Sequence, residues 1–100
     1  MIFKWFDARA ARAFGTELAR AFIAKVPADG NLRGRKFEAK AASAMKHLER
    51  QVAAFKSEHH PNVYQKAKLG NAFKWALRDG GYNDAQYIDK LTDWLMLQLQ

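Results

Sequence analysis

The stretch from Phe37 to Phe55, FEAKAASAMKHLERQVAAF, decides the fold. Phe37, Ala41, Ala44, Met45, Leu48, Val52 and Phe55 recur at steps of three and four, the spacing that stacks side chains along one face of an α-helix. Upstream, Phe14, Leu18, Ala21 and Phe22, with Ala10, repeat the pattern behind Asp7, an N-cap candidate, and the run stops at Val26 before Pro27. Ala28-Asp29-Gly30-Asn31 between the two is turn chemistry.

Downstream, Pro61 closes the central helix, and Asn62 with Gln65 three residues later is a capping-box pattern. Leu69, Phe73, Ala76 and Leu77 then share a face, and Gly80-Gly81 ends it. Asn83 with Gln86 repeats the capping pattern ahead of a last helix, with Tyr87, Ile88, Leu91, Trp94 and Leu95 on one side and Asp89 and Asp93 opposite. The β-branched residues are scattered and never alternate over a run. The expected fold is all-α: a small antiparallel four-helix bundle, residues 1–100 as one domain, with Leu48, Val52, Phe73, Leu91 and Leu95 central in its core. The apolar N-terminal segment, Ile2, Phe3, Trp5 and Phe6, is expected to fold back on the bundle as a lid.

At 100 residues the chain builds one core, and 49% hydrophobic against 27% charged residues is the usage of a folded globular domain. The absence of cysteine rules out disulfides, thiolate metal sites and a cysteine nucleophile, which fits a cytoplasmic setting. Asp7, Arg9 and Arg12 interrupt the N-terminal apolar run before it reaches signal-peptide length, and no run approaches the roughly 18 apolar residues of a membrane span. A soluble protein is expected.

Net charge is +7, and it is unevenly spread. Residues 1–78 carry 16 Lys or Arg against six acids, whereas residues 79–100 carry one Lys against four Asp. Such asymmetry favours anionic partners.

No catalytic, metal or cofactor constellation emerges. Asp29-Gly30-Asn31-Leu32-Arg33-Gly34 opens like a calcium loop but places Arg33 and Lys40 at ligand positions. The adjacent His59 and His60 diverge on a helix, and Ser43 with His47 at i, i+4 lacks both an orienting acid and the strained turn of a nucleophilic serine. The glycines form no phosphate loop, and the surroundings of Gly70 do not fit a helix-turn-helix. Arg33-Gly34-Arg35-Lys36 lacks the proline of an extended minor-groove hook.

What remains is a surface. Tyr64, Lys68, Asn71, Trp75 and Arg78 form a ridge on the third helix, opposite its apolar stripe, and Arg33, Lys36, Lys40, His47 and Arg50 line one side of the second. Whether Tyr64 and Trp75 are exposed or complete the core is open at this level. The expected function is a non-enzymatic interaction module presenting this cationic and aromatic surface to an acidic protein partner. Sequence-tolerant nucleic-acid binding through the same residues is the alternative, and peripheral membrane association through residues 2–14 is the weaker third.

Overall fold

A computed structural model describes residues 2–100, with side chains from Lys4 onward. A single helical turn, α1 (Ile2–Trp5), precedes four long helices: α2 (Arg9–Lys25), α3 (Gly34–His59), α4 (Val63–Asp79) and α5 (Ala85–Leu99). The chain is 79% helical, with no strand among the described residues. The expected stripes meet in one core, where Leu18, Phe22, Leu48, Val52, Leu69, Phe73, Leu77, Ile88 and Leu95 are almost wholly removed from water.

The four helices close a ring in which α2 packs on α3 and α4, and α5 packs on the same two. α3 and α4, though consecutive in the chain, sit on a diagonal with no comparable packing between them. Directions follow from the contacts. Asp7 meets Gln65, Gly15 meets Leu69 and Ala72, and Ile23 meets Gly80, so α2 and α4 run in the same sense, and this neighbouring pair departs from the antiparallel arrangement expected. Gly70 against Met96 and the Lys74–Asp89 ion pair at 3.0 Å set α4 and α5 opposed.

The α2–α4 seam is closed by small side chains. A Cβ added at Gly15 would collide with the carbonyl oxygen of Leu69 and come within 3.2 Å of the Ala72 Cβ, so the helices touch almost backbone to backbone. Ala11 and Ala19 are buried along the same line. The α2–α3 side is held by bulk instead: Phe14 stacks on Phe55 with ring centroids 4.3 Å apart, and Phe55 stacks on His59 at 4.4 Å.

Helix termini agree with the sequence at one end and move at another. Asn62 and Gln65 form the complete capping box. The last helix starts one residue later than expected: Asp84, not Asn83, accepts the backbone N–H groups of Gln86 and Tyr87, since a charged carboxylate also complements the helix dipole. At α2 the cap position belongs to Ala8; Asp7 instead takes the backbone N–H and guanidinium of Arg9, which holds its carboxyl down at about 2. α3 begins three residues before Phe37 and ends on His60 in the left-handed conformation, its N–H donating to the Lys56 carbonyl. Lys56 Nζ in turn donates to the carbonyls of Gln98 and Gln100, satisfying the end of α5.

Tyr82, in the turn between α4 and α5, is buried, and its hydroxyl donates to the Val26 carbonyl at the end of α2. Burial, with Tyr87 and Asp29 adding to it, pushes the phenol up to about 12.

Candidate functional site

The residues singled out on α4 do form a ridge, and its pairings are local. Lys68 Nζ lies 5.3 Å from the centroid of the Tyr64 ring, and the Arg78 guanidinium lies 5.2 Å from that of Trp75. Both are helix-neighbour spacings at which a cation rests on an aromatic face. Trp75 remains 53% exposed, so it is not core. Tyr64 is half-buried under Trp5 and Phe6.

The second half of the expected surface lies elsewhere. Lys36, Lys40, His47 and Arg50 are exposed on α3, and Arg33 is exposed at its N-cap. Because α3 and α4 are diagonal, with α2 and α5 between them, these residues are not continuous with the α4 ridge. The ridge has a different neighbour: α2, which sequence reasoning left out of the site.

Between α2 and α4 runs a groove of about 570 Å³. Its α4 wall carries Ala72, Trp75, Ala76 and Asp79, and its α2 wall Thr16, Arg20, Ile23 and Ala24. The groove stays open because Thr16, Ala24, Ala72 and Ala76 in its lining are small, and Trp75 and Arg20 stand beside this largely apolar floor. Among the described residues Arg12, Arg20, Lys68 and Arg78 have no carboxylate partner, in contrast to Arg9, which pairs with Asp7 at 2.8 Å. The missed signal was the Ala11, Gly15, Ala19 line, three small residues at helical spacing that a search for large apolar side chains passes over.

A second groove of about 470 Å³ lies between α2 and α3, lined by Phe14, Phe55 and His59 with Glu17 and Glu58. Its acids are Glu17 and Glu58, whereas the first groove holds one cation, Arg20, and one acid, Asp79. Around Asp29 the chain closes on itself, with Asn31 donating through N and Nδ2 to the carboxylate and Arg33 Nε donating to the Gly30 carbonyl. Among the described residues no three His, Asp or Glu side chains converge as a metal site, and no helix is long and apolar enough to cross a membrane. Comparison with family models, curated proteins and solved structures finds no match, so the functional reading rests on the chemistry of these surfaces.

Proposed function

We propose that the chain is a non-enzymatic, cytoplasmic binding module whose α2–α4 face receives an acidic segment of a partner protein. One observation carries this reading: Trp75 is held half in solvent at the rim of an apolar groove, with Arg78 on its face and the unpaired Arg20 across from it. A large aromatic beside an open apolar recess is the usual anchor of a protein interface, and the surrounding arginines select acidic side chains and speed encounter. A helix lying in the groove would seat apolar side chains between Ile23 and Trp75 and direct carboxylates to Arg20 and Arg78. The face suits nucleic acid less well, because one face of the Trp75 indole is already occupied by Arg78.

The test is the partner complex recovered from native lysate in the presence of nuclease and then reconstituted from purified components. Trp75→Ala is expected to weaken it at least about 30-fold, the loss of an interface anchor worth about 2 kcal/mol or more, while leaving the melting temperature within a degree or so. A complex that vanishes with nuclease, with log affinity falling on log salt at a slope of about −3.5 to −4.5 for some five phosphates, would transfer the function to nucleic acid.

A further inference from the structure

Of the lid expected at the N-terminus, the side chains of Ile2 and Phe3 lie outside the described residues, and Trp5 and Phe6 are left partly open, with a chemistry of their own. Two of the residues that build the capping box of α4 also clamp the segment in place: Asn62 Nδ2 donates to the Trp5 carbonyl and Gln65 Nε2 to the Asp7 carbonyl, both at 2.9 Å. Trp5 and Phe6 are thereby set edge to face with each other at 5.0 Å and laid against Tyr64 at 5.8 and 5.3 Å. Yet Trp5 stays 46% exposed, Phe6 52%, and the adjoining Val63, first residue of α4, 77%. Hydrogen bonds that fix the backbone thus hold the apolar side chains outward.

We infer that this corner, Trp5, Phe6 and Val63 with Tyr64 behind them, is a shallow contact for an anionic bilayer surface, separate from the α2–α4 groove. Charge and area both select that occupant. Exposed Lys4 adjoins Trp5, and Lys66 and Lys68 stand on the first turns of α4, whereas Asp7 is neutralised by Arg9. Aromatic side chains flanked by lysines are the composition that settles at the headgroup level, where the ring is buried and the ammonium meets lipid phosphate. The three open side chains expose roughly 300 Å², well short of the roughly 800 Å² per partner that a stable pairing with a second copy needs. Tyr64 and Trp75 are separated by about 16 Å along α4, so the two surfaces can be altered independently.

The experiment is sedimentation of the 100-residue chain with phosphatidylcholine vesicles, with and without phosphatidylserine. The chain is expected to bind the anionic vesicles and not the neutral ones. Trp5→Ser/Phe6→Ser is expected to lower binding at least about tenfold with an unchanged melting curve, whereas Trp75→Ala leaves it unchanged. In Trp75→Phe/Trp94→Phe, which keeps Trp5 as the sole indole, emission is expected to shift to the blue on binding and to be quenched by lipids brominated on the acyl chain. No binding to anionic vesicles overturns the inference. So does binding that ignores Trp5 and Phe6, which would be charge alone, and so does a concentration-dependent dimer abolished by Trp5→Ser. Because Trp75→Ala separates the two faces, either reading can fail while the other stands.

Discussion

The two sides of α2 are built on opposite principles. Toward α4 the packing residues are Ala11, Gly15 and Ala19, the backbones nearly touch, and the flanks carry Arg20 and Asp79 beside an exposed Trp75 that has Arg78 on its face. Toward α3 the packing residues are Phe14 and Phe55, and the flanks of the groove carry Glu17 and Glu58. Small side chains let helices close at the centre and leave a recess at the edge; large rings fill the centre and keep the helices apart. One helix therefore borders two grooves of different charge, one holding Arg20 with Asp79 and the other Glu17 with Glu58, and a basic net charge says nothing of where they fall.

The largest blow to this arrangement is on the bulky side. Phe55→Ala removes the ring sandwiched between Phe14 and His59 and is expected to cost about 3 to 5 kcal/mol in denaturant unfolding. On the small side the sensitive change is the reverse one. Gly15→Val thrusts a side chain into the Leu69 carbonyl and is expected to cost about 1 to 3 kcal/mol or more, despite valine's better helix propensity. Equal melting of Gly15→Val and wild type would mean that α2 and α4 do not approach as described.

Tyr82→Phe tests the end where the two sides converge, because the phenol links the α4–α5 turn to Val26. Losing that buried bond is expected to cost about 1 to 2 kcal/mol. It also predicts a pH signature. The folded phenol titrates at about 12 and the unfolded one at 10.0, so the unfolded chain loses its proton first. Stability from this group is complete below pH 10 and is lost as pH rises toward 12, and Tyr82→Phe is expected to remove its part of the alkaline decline.

The smallest effect sharpens an element boundary. Asp84→Ala is expected to lower stability by about 1 kcal/mol, and Asn83→Ala by less than about 0.5, because Asp84 makes both cap hydrogen bonds. The reverse order would restore the start of α5 to Asn83.

Much of the fold is legible in the order of the residues. Leu48, Val52, Phe73, Leu91 and Leu95 are buried as their spacing requires, and Asn62 with Gln65 caps α4 as the pattern implies. The candidate site is only half legible. Tyr64, Lys68, Trp75 and Arg78 lie on one helix, where residues three and four apart are neighbours whatever the tertiary fold. Arg33, Lys36, Lys40 and Arg50 lie on another, and joining the two ridges assumes that helices adjacent in sequence are adjacent in space.

Helix identity, helix ends to within a few residues, the apolar stripes and the excess of cations are local properties, carried by i, i+3 and i, i+4 spacing, by capping groups and by composition, and the sequence by itself determined them. Three things were decided only by the tertiary structure: that α2 rather than α3 lies beside α4, that Trp75 faces water, and that Trp5 and Phe6 are held outward on Tyr64. Each depends on a contact between residues far apart in the chain, Gly15 with Leu69 or Asn62 with Trp5. In such contacts the deciding side chains are small or polar, and they leave almost no trace in a hydrophobic pattern.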